Sequence, residues 1–285
     1  MANRVTLKSA NTAVIVGDSP AFKTSVESGF VFAGVNSASY GFSNVRAELG
    51  QLGSQGFEKE NIVRQPDVTL KMSYGFTPTF ANEELIGMNY NLDSKPEFSI
   101  TKNLDGASNN FYFYNHPEQG FDGLEYIKNG EFPNGGEVVS IGNAYLTSYN
   151  MNFAVGSFPT VDLEFDCSNI KIENYFSQTV ESPAINLKSG NNIGVGSIDL
   201  LNVNYLEPRK FGDIYDLDRT KIETILPHDI NIEMDNLVIG GQKLELQNHR
   251  INQFSVSLPI DRANLYRLGS DYVCDRELQY PINGK

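Results

Sequence analysis

One segment occurs twice in this chain, and that repeat constrains the fold more than any other feature. Val35–Ser54 (VNSASYGFSNVRAELGQLGS) aligns without a gap on Ile251–Ser270 (INQFSVSLPIDRANLYRLGS), and 8 of the 20 positions are identical. Composition alone gives about one such match. The shared residues are Asn36/Asn252, Ser39/Ser255, Arg46/Arg262, Ala47/Ala263, Leu49/Leu265, Leu52/Leu268, Gly53/Gly269 and Ser54/Ser270. Each copy reads as a strand, then a glycine-bearing loop whose arginine and two leucines face inward, then a Gly-Ser turn. The glycine permits a backbone angle that other residues resist. A duplicated β-unit offers pseudo-equivalent surfaces, which suits a protein that closes a ring. Enzymes carry duplications too, so the repeat alone names no function.

Period-two alternation supplies the fold class. Val68, Leu70, Met72 and Tyr74 alternate with polar residues, as do Val161, Leu163 and Phe165. Each run therefore has one buried and one wet face. The two runs also share P-x-V-x-L-x-apolar, at Pro66–Met72 and Pro159–Phe165. Strands are further expected over Phe30–Phe32, Val35–Phe42, Phe98–Thr101, Phe111–Tyr114, Val138–Ile141 and Ala144–Val155. A Gly156–Pro159 turn makes a hairpin with the strand after it. Ile230–Met234 alternates, and Leu237–Ile239 forms a hairpin with Lys243–Leu246 across Gly240-Gly241. The best helix is Asn82–Met88, about two turns, with Asn82 as its cap and Glu83 and Glu84 favouring the N-terminal dipole. A second short helix is expected near Leu217–Thr224. His116–Gly136 reads as loop.

Three regions follow. Residues 1–29 are polar and read as an arm. Residues 30–176 form a β domain. Residues 177–285 form a second β region carrying the repeat, beyond a Gly- and Asn-rich boundary over 177–196. The apolar run Ala13–Val16 is far shorter than a membrane span or signal core.

The chain has 285 residues and a net charge of −13. An acidic surface repels phosphates, so tight nucleic-acid binding is not expected. Cys167 and Cys274 define neither a disulfide framework nor a zinc site, and they fit a reducing compartment.

No catalytic, metal or cofactor site is signalled, and the chain is not expected to be an enzyme. His116, His228 and His249 lack metal spacing. Asp213, Asp216 and Asp218 lack the glycine and distal glutamate of a calcium loop. Gly190–Gly196 lacks the Lys-Ser/Thr of a phosphate loop. The Phe111–Tyr114 aromatics have no flanking basic residues for nucleic acid, and core packing or a contact between subunits suits them better.

Several segments together resemble bacteriophage tail tube proteins. They are Arg46–Ser54, Arg64–Tyr74, Gly142–Tyr149, Val155–Val161 and Leu265–Ser270, about a third of the chain. The resemblance implies a mainly β fold, a tail-tube-like sandwich or barrel with a short flanking helix. It further implies a virion protein, assembled in host cytoplasm, whose strands join those of neighbouring copies around a lumen. Rings then stack, other tail proteins attach, and DNA passes at ejection without being held. Two tube-like units per chain would give a trimer with six-fold pseudo-symmetry; one unit plus an added domain would give a hexamer. The candidate assembly residues are Arg46, Leu49, Leu52, Arg262, Leu265 and Leu268; each arginine pairs either across a boundary or within its own domain. Other readings are a terminator, distal tail or baseplate ring, a carbohydrate-binding β-sandwich, and a polysaccharide hydrolase.

Overall fold

The computed structural model describes residues 3–6, 12–17, 26–43, 46–50, 57–62, 67–76, 81–86, 109–115, 136–175, 179–185, 197–204, 238–239, 242–243, 252–268 and 273–280. In chain order the elements begin β1 (Asn3–Thr6), β2 (Thr12–Gly17), β3 (Val26–Val31), β4 (Val35–Ser43), β5 (Arg46–Gly50), β6 (Phe57–Ile62), β7 (Asp67–Gly75) and helix α1 (Ala81–Leu85). There follow β8 (Asn109–Asn115), β9 (Gly136–Ala154), β10 (Thr160–Cys167), β11 (Asn169–Tyr175), β12 (Thr179–Glu181) and β13 (Ser197–Asn204). The last are β14 (Val238–Ile239), β15 (Gln242–Lys243), β16 (Gln253–Pro259), β17 (Arg262–Leu265) and β18 (Asp275–Leu278). The chain is mainly β, as expected.

Two layers share β9, which is 19 residues long. One layer runs β1-β4-β7-β10-β9-β16, antiparallel throughout, through the second half of β9. The other runs β11-β9-β8-β2-β3-β13-β12 through the first half, with only β3–β13 parallel. Among the described residues the strand path is open, not a closed barrel.

The changeover in β9 falls at Gly142-Asn143. Asn143 has φ 51°, a left-handed conformation that asparagine tolerates better than most residues. Its side chain holds the passing strand segment: Asn143 Nδ2 donates to Ile185 O at 3.2 Å, and Ile185 N donates to Asn143 Oδ1 at 2.6 Å. A Cβ on Gly142 would lie 2.3 Å from Pro183 O, a backbone atom that cannot swing away. Gly142→Ala is therefore expected to cost about 2–3 kcal/mol by overpacking. Urea unfolding checks this, and a loss under 0.5 kcal/mol, the scale of a neutral surface change, would show the contact is not tight.

The main core lies between the layers. From one side come Leu70, Met72, Tyr74, Val161, Leu163 and Phe165. From the other come Val14, Val16, Phe111 and Phe113. The rings of Phe111 and Phe165 meet edge to face at 4.9 Å, a favoured geometry. Strands β2 and β8 are buried on both faces, because Ala13, Ile15, Tyr112 and Tyr114 enter a second core with Val180 and Ile198. A strand covered on both sides shows a continuous apolar run instead of alternation.

Four expectations are revised. The 1–29 segment supplies two strands and the start of a third, and β2 is core, not an arm. The two sides of the 176/177 boundary share sheets, since β13 joins β3 and β16 joins β9. Arg46–Gly50 is a strand paired with β6, not a loop. Asn82 does not cap its helix: its Nδ2 donates to Ala33 O at 2.7 Å and its Oδ1 accepts from Ala33 N at 3.0 Å. That amide satisfies both the N–H and the C=O of Ala33 in the β3–β4 connection, which capping a helix N–H would not. The hairpin expected near Gly240-Gly241 is present as β14–β15. Leu52, Met88, Phe98–Thr101, Gly190–Gly196, the three histidines, Asp213, Asp216, Asp218, Leu217–Thr224 and Ile230–Met234 lie outside the described residues.

Candidate assembly surface

The sequence repeat is also a structural repeat. In both copies a strand ends, two residues intervene, and a short strand begins at the aligned arginine: β4 ends at Ser43 and β5 starts at Arg46, while β16 ends at Pro259 and β17 starts at Arg262. Each short strand then pairs antiparallel with a later one. Arg46↔Ile62, Ala47↔Asn61, Glu48↔Glu60 and Leu49↔Lys59 in the first hairpin match Arg262↔Leu278, Ala263↔Glu277, Asn264↔Arg276 and Leu265↔Asp275 in the second. The ungapped alignment of Val35 on Ile251 thus carries through β6 and β18, which share no residue identity. The repeated unit is a strand plus a hairpin in one register.

Strands β4 and β16 lie in the same layer and run in the same direction, with β7, β10 and β9 between them. The alternation of antiparallel neighbours places both hairpins at the same end of that layer. That upper end is where β10 finishes at Cys167 and β16 at Pro259. At the lower end the Val155–Pro159 turn joins β9 to β10.

Arg276 fixes the second hairpin to the layer. Its guanidinium is almost fully buried. It donates to Asp166 Oδ2 at 3.1 Å, Ser168 Oγ at 2.8 Å, Cys167 O at 3.3 Å and Asn264 Oδ1 at 3.3 Å. It also stands 4.6 Å from the centre of the Tyr145 ring, and Arg262 stands 5.4 Å from the same centre. Burial lowers the pKa of Arg262, with the nearby positive charge of Arg276 acting in the same direction and Tyr145 against it. The sequence reading passed over Arg276, which sits in Asp-Arg-Glu-Leu and looks like one charge among several.

The six expected residues divide. Arg262 packs inward on Tyr145. Leu265 is exposed and Leu268 fully so. Arg46 and Leu49 occupy matched register positions in the first hairpin. The structure brings the two hairpins to one end without joining them.

A second polar cluster also escaped the sequence reading. Glu83, expected to favour the helix N-terminal dipole, is buried against β7 and β9. The Tyr74 hydroxyl donates to its Oε1 at 2.7 Å and the Tyr149 hydroxyl at 3.4 Å, while Oε2 has no hydrogen-bond partner. Burial pushes its pKa up to about 7, with the tyrosine hydrogen bonds opposing the shift. Burial, and after it the Glu83 carboxylate, raises both tyrosines above their ordinary value. Nothing in Asn-Glu-Glu-Leu marks Glu83 as a buried side chain.

Among the described residues, no group of three His, Cys, Asp or Glu side chains is placed to hold a metal ion. No described helix is long and apolar enough to cross a membrane. Cys167 is a buried free thiol and Cys274 a partly exposed one. The four aromatics Phe111–Tyr114 are fully buried, so no ring there is available to stack on a sugar or base.

The fold and this surface define a class: mainly β, two-layered, open at the sheet edges. No family model matches the chain, and no curated protein does. Among solved structures it is similar to the SPP1 tail tube, at 9% identity and a TM-score of 0.38, over 60% of this chain and 81% of the other. It is also similar to a chain of the virion of a native gene transfer agent particle, at 11% identity and a TM-score of 0.31, over 57% of this chain and 95% of the other. Both scores are low, and the functional reading rests on the chain's own geometry.

Proposed function

We propose that this chain is a structural protein of a phage tail, the tube subunit, which self-assembles into rings that stack around a DNA-conducting lumen. Its role is non-catalytic, and its place is the virion, after assembly in host cytoplasm. The observation that carries this reading is the open β16 edge. Asn252 O accepts from Val155 N at 3.0 Å, and Ile260 N donates to Thr147 O at 2.8 Å. Even-numbered residues therefore face β9, and the N–H groups of Gln253, Ser255 and Ser257 point away from it. Among the described residues no strand lies on that side. Pro259 occupies an outward position too, where a missing N–H costs nothing.

Among the described residues the opposite edge of the layer is β1. Six antiparallel strands separate the two edges inclusively, so β1 and β16 run in opposite directions. A copy placed head to tail continues the antiparallel pattern, and repetition closes a ring if the rotation allows. The net charge of −13 fits a wall along which DNA slides unheld. The motif resemblance in the sequence supports the same reading.

Electron microscopy by negative stain across a concentration series tests it. Rings or hollow tubes are expected, and counting subunits separates a hexamer from a trimer with six-fold pseudo-symmetry. Ser255→Pro removes one outward N–H while leaving the β9 ladder intact. This variant is expected to stay folded and to lose ring closure. Persistent wild-type monomers would overturn the proposal.

A further inference from the structure

Seven large apolar side chains are exposed among the described residues, and six of them sit at the two ends of one layer. At the lower end, in the β9–β10 turn, are Val155 and Phe158, 73% and 61% exposed. At the upper end, on and beside the second hairpin, are Leu265, Tyr266, Leu268 and Tyr280, between 40% and 102% exposed. Exposed large apolar side chains gathered at the ends of a layer are candidate contact sites.

We infer that these two rims meet: the upper hairpin of one copy docks on the lower β9–β10 turn of a second copy shifted along the strand direction. The inference rests on the ring reading and names its axial contact. Three observations commit the surface to a second copy. The patches lie at opposite ends of the same strands, so contact between them is heterologous and does not close on a pair; it propagates as a stack. The lower turn, Val155–Pro159, carries no charged residue in a chain of net charge −13, so it is a place where two copies approach without like-charge repulsion. Leu265 and Leu268 recur as Leu49 and Leu52 in the other repeat, though Leu268 makes no use of its side chain in its own core. A terminator ring needs one sticky face; this chain has two, which favours an indefinitely stacking subunit.

The test uses the full chain with Phe158→Asp, which spoils the lower rim, and Leu268→Asp, which spoils the upper. Both sites are exposed, so melting temperatures should stay within about 2 °C of wild type. Wild type is expected to form multilayer tubes by electron microscopy and sedimentation. Each variant alone should stop at single rings. An equimolar mixture should form two-layer particles and no longer ones, because each variant keeps the rim the other needs. If both variants elongate like wild type, the axial contact is wrong and the ring reading stands. If wild type forms no rings at any concentration, the ring reading falls and this contact with it.

Discussion

Replacing Arg276 with alanine is expected to destabilise the folded chain by about 3 kcal/mol, the usual result of removing one partner from a buried charge network. The substitution removes the ion pair to Asp166, three further hydrogen bonds and the stacking on Tyr145. Water reaches Asp166, whose side chain is 34% exposed, and this softens the loss. It does not reach Ser168, which is fully buried. Arg276→Lys keeps the charge but not the planar fork, so it should recover less than half of the difference. The hairpin that carries Leu265 and Leu268 loses its footing in either variant, and stacking should weaken more than lateral ring closure. Guanidinium unfolding gives the stability and sedimentation the assembly. A cost under 1 kcal/mol for Arg276→Ala, no more than an ordinary surface pair is worth, would mean the hairpin is held by other contacts.

The second large effect is a pH dependence centred on Glu83. Its carboxyl pKa is raised from 4.5 to about 7 in the folded chain. The folded state therefore binds the proton more tightly than the unfolded state does. Stability from this group is highest below about pH 4.5, falls as pH rises towards 7, and stays low above it. The span corresponds to about 3 kcal/mol at 1.36 kcal/mol per pKa unit, and burial is deep enough that solvent screening does not reduce it much. The groups facing Glu83 are the Tyr74 and Tyr149 hydroxyls, from β7 and β9, and both stay protonated throughout. Glu83→Gln removes the titration while keeping an acceptor for the tyrosines. Relative to wild type it should gain far more stability at pH 8 than at pH 5, where only about a quarter of the span has been lost. The comparison cancels the other carboxylates, which titrate in both proteins. An equal difference at the two pH values would show that Glu83 is not carrying a raised pKa.

Much of the fold was legible because it depends on near neighbours. Val68-Thr69-Leu70-Lys71-Met72 fixes which side chains share a face whatever it pairs with, and β7 and β10 follow that alternation. The turn after β9 was readable from Gly156, whose φ of 83° suits glycine. The repeat showed that two units are alike. Less legible was β5, where Glu48 and Gly50 dilute a strand that needs β6 as its partner.

The sequence by itself determined a mainly β chain, its central alternating strands and the existence of a duplicated unit, because side-chain period and residue identity are local properties. Only the tertiary structure decided that Ala13–Val16 is covered on both faces, that Glu83 is buried against two tyrosines, and that Arg276 holds a hairpin to Asp166 from far along the chain. It also decided that both hairpins stand at one end of one layer. Each of these depends on which surface arrives from elsewhere in the chain, and burial and pairing energies belong to that encounter, not to either segment alone.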